Sequence, residues 1–272
     1  MSQVLLKVKP RRTSKSEQSV WETCPAQWNY NNSGCVGIAM DDTPLRFGTS
    51  AHAGIAGYQK EMQQRENPPT PLAIQDALNR NMADVGFEQQ RVDNIIKNVM
   101  AYEVGRLNKY GPQNFKPILV EQRIEALPFK GYVDLVHATD KPNEVVVVDW
   151  KTGRYNPTEW QNTELSIYCY LVGSMGYKPV LSYINFVEHG MLSLGVIDIP
   201  KAIEKAYIFF KRTENPYYHY PKKRGFHCRW CAFQIRCFFE SNTPIPGIHA
   251  ITNTQTLRLF DGLPLLREAI CR

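Results

Sequence analysis

Three short segments rich in β-branched residues occupy the middle of the chain. They cover residues 118–126, 130–137 and 144–151, and they are separated by a Leu-Pro pair and by a polar turn. Short β-branched runs bounded by proline and turn residues are typical of consecutive antiparallel strands. The sequence therefore predicts a three-stranded meander.

Amphipathic segments flank this meander on both sides, and their apolar residues recur every three or four positions. The pattern predicts helices at 45–64, 72–109, 158–174 and 200–212, and further strands at 180–188 and 192–199. The order helices, three strands, helix, two strands predicts an α/β fold, with a mixed central sheet flanked by helices.

Length and composition indicate a soluble intracellular protein. The chain has 272 residues, enough to bury a core without disulfides. It has no apolar run of about 18 residues, and residues 1–19 lack the features of a signal peptide. We expect a cytoplasmic location, in a bacterium or as a phage protein in its host, and no membrane association. The formal net charge of +6 suits a polyanionic partner without identifying one.

Charged residues accompany the predicted strands. Asp134 lies in the second strand, and Asp149 and Lys151 end the third, directly after four valines. Side chains two apart share one face of a strand. Carboxylates suit Mg²⁺ or Mn²⁺, which polarise a phosphoryl oxygen, and a neighbouring lysine can orient or deprotonate the attacking water. The residues indicate phosphodiester hydrolysis, although an isolated Asp-x-Lys is more often a strand cap or a surface ion pair.

A cluster of cysteines near the C-terminus indicates a second metal site. Cys228, Cys231 and Cys237 have C-x2-C-x5-C spacing, which supplies three of the four thiolates that such sites normally take. The total of seven cysteines is odd, which favours metal ligands over disulfides in a reducing compartment. The fourth ligand must come from another part of the chain.

The motifs taken together resemble the PD-(D/E)xK nucleases of the RecB type. Gly131-Tyr-Val-Asp134, followed by Val148-Asp-Trp-Lys-Thr-Gly153, is similar to their active-site motif, and Gly48-Thr-Ser-Ala-His52 is similar to their histidine motif. The resemblance covers about residues 21–240. It implies a restriction-endonuclease-like core and a metal-dependent deoxyribonuclease.

The resemblance also implies roles for individual residues. It implies catalytic roles for Asp134, Asp149, Lys151, Glu164 and Tyr168. It implies that Mg²⁺ or Mn²⁺ is bound by His52, Asp134, Asp149 and the backbone carbonyl of Trp150.

One helix position departs from the family pattern. Glu164 stands four residues before Tyr168, where the Q-x-x-x-Y motif of the family has glutamine. Gln161 lies one turn earlier and could fill the same place, and the sequence does not decide between the two. Glu121, in the first predicted strand, occupies a position where many relatives carry an additional acid.

The N-terminal segment suggests the missing cysteine ligand. Cys24-Pro-Ala-Gln-Trp-Asn-Tyr30 resembles the segment that begins many RecB-type nucleases. In the iron–sulfur branch of that family, which includes AddB nucleases and CRISPR adaptation exonucleases, one N-terminal cysteine joins three near the C-terminus. The resemblance implies that Cys24 joins Cys228, Cys231 and Cys237 around a [4Fe–4S] cluster. Cys35 and His227 are the rival ligands. Zn²⁺ is the alternative metal, although four-cysteine zinc sites usually use two close pairs.

These features give the expected domain layout. We expect a flexible basic N-terminus at 1–20, a nuclease core at 21–212, an iron–sulfur segment at 213–240 that includes Cys24, and a C-terminal tail at 241–272 packing on the core.

The expected activity is that of an exonuclease on DNA ends or single strands. The alternative is a non-catalytic DNA-binding subunit of a recombination or repair complex. No Walker A motif is present in the sequence, so unwinding would need a helicase or recombination partner. Aromatic and basic residues from 209 to 224 suit base stacking and phosphate contacts. The predicted DNA contacts are Gln161, Lys222, Lys223 and Arg224.

Overall fold

The computed structural model describes residues 11–86, 88–153 and 159–241. The first part of the predicted flexible N-terminus and the predicted C-terminal tail from residue 242 onward lie outside the described residues. In the described parts of the chain, no helix is both long enough and apolar enough to cross a membrane.

The described residues form eight α-helices and five β-strands. The helices are α1 (Lys15–Thr23), α2 (Pro25–Asn32), α3 (Thr43–Gln64), α4 (Pro71–Met82), α5 (Gln89–Tyr110), α6 (Glu159–Ser174), α7 (Ile199–Thr213) and α8 (Gln234–Ser241). The strands are β1 (Pro117–Ala126), β2 (Phe129–Ala138), β3 (Glu144–Lys151), β4 (Lys178–Phe186) and β5 (Met191–Leu194).

The five strands form one mixed sheet in the order β1-β2-β3-β4-β5. The first three strands pair antiparallel, β3 pairs parallel with β4, and β4 pairs antiparallel with β5. A parallel pair needs a crossover connection, and α6 provides it between β3 and β4. The predicted meander and the α/β fold with a mixed, helix-flanked sheet are confirmed.

Strand β3 is covered on both faces, which explains its unbroken apolar run. Val146 and Val148 belong to the core that also contains buried residues of α3, α4 and α5. Val145 and Val147 are equally buried and point to the other face, where α6 packs against the sheet. The central strand is thereby fixed, and the residues at its end have defined positions.

Three predictions differ from the structure by more than two residues. The helical region expected at 72–109 is two helices, because the chain turns between them and Gly86 there has a φ of +68°. Strand β5 ends before Gly195, whose backbone lies so close to Leu165 that a Cβ would be 2.2 Å from its side chain. Helix α1 begins at Lys15, inside the segment predicted to be flexible, because Trp21 and its neighbours bury one face.

The chain divides into two compact units. The first comprises the described residues up to Lys15 together with Thr43–Ala206, and it contains the whole sheet. The second comprises Ser16–Asp42 and the described residues from Tyr207 onward. All four cysteines of the predicted cluster belong to the second unit.

An aromatic core holds the second unit together. The rings of Trp21 and Trp28 pack edge-on against Phe209 at centroid distances of 5.7 and 5.5 Å, and Tyr220 stacks on Trp28. Phe209 is fully buried. The prediction that this aromatic run offers free stacking faces is therefore wrong for Phe209, because α7 turns this side chain into the core.

Candidate active site

Asp134 lies where strands β2 and β3 separate. The last paired residues of these strands are Leu135 and Val148. Beyond this pair, the backbone N–H of Trp150 donates a 2.8 Å hydrogen bond to Oδ2 of Asp134. The indole of Trp150 points the other way and packs edge-on against Tyr102 in the core. The strand ends therefore present a buried carboxylate that is held in place by the backbone.

Three potential metal ligands converge at this carboxylate. Nδ1 of His52 lies 3.6 Å from Asp134 Oδ2 and 3.7 Å from Glu121 Oε1, and one ligand atom of each residue lies within 4.8 Å of the others. Gly48, one turn before His52 on α3, lets the helix approach the end of β3, because a Cβ there would lie 3.1 Å from Oγ1 of Thr152. We call His52, Glu121 and Asp134 the acid–histidine group.

The backbone of Glu121 has an unusual conformation. Its φ is +46°, in the left-handed region that residues other than glycine rarely adopt. Its neighbours Val120 and Gln122 pair with Leu135 and Val133, so Glu121 lies opposite Asp134. The flanking pairs keep the residue in this conformation, and its carboxylate faces His52. Such strain is concentrated at functional sites.

The electrostatics of the acid–histidine group favour a cation. The pKa of Asp134 is raised to about 6. Burial is the main cause of the rise, His52 opposes it, and the carboxylate of Glu121 adds to it. Burial would lower the pKa of His52, but Glu121 and Asp134 raise it above its usual value. An imidazole and two carboxylates offer the ligand atoms and the negative charge that a divalent metal ion needs. The donor set fits a divalent ion.

A second charged cluster adjoins the strand end on the α6 face. Lys151 Nζ lies 2.7 and 2.9 Å from the two carboxylate oxygens of Asp149, and 3.3 Å from Oε2 of Glu164. Burial raises the pKa of Asp149 to about 8, and the charge of Glu164 adds to the rise while Lys151 opposes it. The contact confirms that Asp149 and Lys151 share one strand face.

Glu164 is the residue of α6 that reaches this cluster. Tyr168 donates a 3.2 Å hydrogen bond to its Oε1, and Lys15 Nζ lies 2.9 Å from its Oε2. Burial alone would raise the pKa of Glu164, but Lys151 and Lys15 lower it below its usual value. Gln161 lies one turn earlier and is half-buried.

Lys15 is a residue of this cluster that was not predicted from the sequence. This residue lies in the segment predicted to be flexible, and no motif marks it. The available signal was the acid at position 164, because a buried carboxylate in place of a neutral amide needs a second cation nearby. Lys15 supplies this cation although it lies 149 positions before Glu164 in the chain (164 − 15).

The four predicted cluster cysteines line one cavity in the second unit. Cys24, Cys228, Cys231 and Cys237 surround it. Burial raises the pKa of Cys237, and Lys222 and Arg224 oppose the rise. Cys35 is not among the residues that line this cavity, and its sulfur contacts Ser33 and Arg236.

The rival ligand His227 and three of the predicted DNA contacts, Lys222, Lys223 and Arg224, also lie at or near this cavity. His227, Lys223 and Arg224 are among its lining residues. Lys223 donates to the backbone carbonyl of Glu22, and Lys222 forms a 2.9 Å ion pair with Glu240. The basic run therefore places Lys223 and Arg224 beside the cysteines.

Comparison with known proteins identifies the family to which the chain belongs. The family model described as "PD-(D/E)XK nuclease superfamily" matches residues 12–238. No curated protein matches the chain. A solved structure titled "Crystal structure of SSO0001" is similar over 85% of this chain and 87% of that chain, with 12% sequence identity and a TM-score of 0.38. The five-stranded mixed sheet flanked by helices is consistent with the restriction-endonuclease-like fold of the matched family.

Proposed function

Because the chain belongs to the PD-(D/E)XK nuclease superfamily, we propose that it is a metal-dependent exonuclease that hydrolyses DNA from ends or in single strands. The observation that carries this proposal is the convergence of the acid–histidine group with Asp149 and Lys151 at the end of β3. Two carboxylate clusters and a lysine are the groups that phosphodiester hydrolysis needs.

His52, Glu121 and Asp134 are the residues that would hold Mg²⁺ or Mn²⁺, with Asp149 and the carbonyl of Trp150 as further ligands. A bound divalent ion of this kind polarises a phosphoryl oxygen and makes hydroxide available at neutral pH. Lys151 positions the attacking water and stabilises the charge that develops on the phosphate. Its side chain is 28% exposed, whereas that of Asp149 is 2% exposed, so its ammonium group can reach the substrate while its partner stays buried.

A groove along α3 supports a single strand as substrate. It has a volume of about 730 Å³ and is lined by His52 and Glu121 together with small residues of α3. This is the size of a small-molecule pocket rather than of a duplex channel. A few nucleotides of one strand, or one end, would fill it. Because the sequence has no Walker A motif, we propose that a helicase or recombination protein supplies strands from duplex DNA.

A nuclease assay with circular and linear substrates tests the proposal. Purified protein with Mn²⁺ or Mg²⁺ is expected to shorten end-labelled single strands and to leave covalently closed single-stranded circles intact. The Asp149→Asn variant, purified identically, reports any contaminating nuclease. Cleavage of the circles would contradict the exonuclease assignment. DNA binding without cleavage of any substrate would favour the alternative, a non-catalytic subunit of a recombination or repair complex.

We also propose that Cys24, Cys228, Cys231 and Cys237 bind a [4Fe–4S] cluster. Their shared cavity supports this assignment. The basic residues at the cavity would offset the negative charge of four thiolates. Protein purified anaerobically is expected to be brown and to contain iron and acid-labile sulfide. Colourless protein with one zinc ion per chain would contradict the cluster.

A further inference from the structure

One carboxylate oxygen in the first unit lies between two ammonium groups. Lys15 Nζ is 2.9 Å from Oε2 of Glu164, and Lys151 Nζ is 3.3 Å from the same oxygen. The Glu164 side chain is only 6% exposed and that of Lys15 is 21% exposed. Lys151 belongs to the proposed catalytic set, whereas Lys15 does not.

Backbone contacts fix the position of Lys15. Thr13, two residues earlier, is fully buried and forms a parallel bridge with Phe129. Its N–H donates to the carbonyl of Pro128 at 3.0 Å, and its carbonyl accepts from the N–H of Lys130 at 3.0 Å. The segment before α1 is thus attached to strand β2, and this attachment delivers Lys15 to Glu164.

Lys15 gives Glu164 a second cation besides Lys151, which also contacts Asp149. Asp149 and Glu164 are two buried acids, and Lys151 alone would have to serve both of them. A buried carboxylate without a partner is strongly unfavourable, so Glu164 would draw Lys151 away from Asp149. With Lys15 in place, Glu164 has a cation of its own.

We propose that Lys15 is a positioning residue of the active site. It neutralises Glu164, and Lys151 thereby keeps the position beside Asp149 from which it serves the scissile phosphate. This inference rests on the proposed nuclease function. Misplacement of a reacting group by about 1 Å can lower a rate by about 100-fold, so the predicted effect is measurable.

A surface ion pair of the same length provides the matched control. Lys178 Nζ also lies 2.9 Å from a glutamate, Glu144, but the lysine side chain is 70% exposed. Exposed pairs of this kind contribute little to stability. Lys178→Met removes a lysine from an ion pair of equal length without touching the charged cluster.

The test is a double-mutant cycle in kcat and KM. Lys15→Met is expected to lower kcat about 10- to 100-fold and to change KM less than about threefold. In a Glu164→Gln background the same change is expected to alter kcat less than about threefold, because a neutral amide leaves no charge to compensate. Lys178→Met should leave both constants unchanged.

Two kinetic outcomes would overturn the proposal. An equal loss of kcat in both backgrounds would show that Lys15 acts independently of Glu164. A rise in KM with kcat unchanged would make Lys15 a substrate contact. If the wild-type protein cleaves no DNA, the proposed function fails. The cycle is then measured by thermal unfolding, where additive effects of Lys15→Met and Glu164→Gln would refute the coupling itself.

Discussion

The backbone N–H of Trp150 donates a 2.8 Å hydrogen bond to the carboxylate of Asp134, across the point where β2 and β3 separate. The same Asp134 oxygen lies 3.6 Å from Nδ1 of His52. One carboxylate thus accepts a hydrogen bond from a buried backbone N–H and also faces His52. Its structural and chemical roles can be separated by mutation.

Asp134→Asn and Asp134→Ala should differ in stability but not in activity. Asparagine keeps an acceptor for the Trp150 N–H and loses the charge, so we expect a folded protein with no detectable cleavage. Alanine also leaves a buried donor unpaired, which should lower the free energy of unfolding by a further ~1–3 kcal/mol. Chemical denaturation and the nuclease assay measure the two effects.

The exposed Asp140 provides the control for this pair, because Asp140→Asn should alter neither property. Equal stability of Asp134→Asn and Asp134→Ala would show that the hydrogen bond to Trp150 is unimportant. Full activity of Asp134→Asn would remove this residue from the catalytic set.

Stability of the metal-free protein should fall as the pH rises from about 5 to about 8. The pKa values of Asp134 and Asp149 are raised to about 6 and about 8, whereas an unfolded aspartate has a pKa of about 3.9. The folded protein therefore binds more protons than the unfolded chain in this window, and the free energy of unfolding decreases with pH. The raised pKa of His52 acts in the same direction, whereas the pKa of buried His137, lowered to about 3, opposes the decrease up to about pH 7.

Added Mn²⁺ should reverse this trend, because a metal ion binds the ionised carboxylates. Thermal unfolding in chelator and in Mn²⁺, at pH values from 5 to 8, should show a larger metal-induced rise in Tm at the upper end. The Asp134→Asn/Asp149→Asn double variant should lose both the decrease in chelator and the larger Mn²⁺-induced rise in Tm at high pH. A metal-induced rise that is independent of pH would contradict the raised pKa values.

Serine substitutions should separate the cluster ligands from Cys35. Cys24→Ser is expected to reduce bound iron and the free energy of unfolding, because Cys24 lines the shared cavity. Cys35→Ser should leave the iron content unchanged, since Cys35 instead contacts Ser33 and Arg236. Iron analysis and the visible spectrum measure the difference. Loss of iron in Cys35→Ser and not in Cys24→Ser would assign the N-terminal ligand to Cys35.

Gly131 should tolerate no side chain without a cost. A Cβ at this position would lie 3.2 Å from the ring of Tyr168 and 3.3 Å from the side chain of Leu171. Both side chains of α6 would therefore have to move by a few tenths of an ångström. We expect Gly131→Ala to destabilise the protein by ~1–2 kcal/mol and to reduce activity, because Tyr168 bonds Glu164. Gly173, also on α6, has open space around its Cβ position. Gly173→Ala should instead be neutral or stabilise the protein by up to ~1 kcal/mol.

Much of the fold and part of the site could be predicted from local patterns. Helical and strand periods depend on residues a few positions apart, so they located the meander and the helices around it. The same period of two predicted that Asp149 and Lys151 share a face, and the ion pair between them agrees. Element ends were predicted less well, because they depend on contacts with distant residues. Strand β5, for example, ends where the backbone of Gly195 meets Leu165, which lies 30 residues earlier (195 − 165).

The remaining features of the site depend on contacts between distant segments. Glu121 reaches His52 through a left-handed backbone that its strand partners maintain, and no local pattern predicts such a conformation. Glu164 enters the cluster between Lys15 and Lys151 because the segment that ends at Lys15 is attached to β2, beside α6 and the end of β3. Sequence spacing specifies which residues share one element, whereas the packing of elements specifies which charges become neighbours. Because burial makes an unpaired charge costly, that packing assigns each acid its partner.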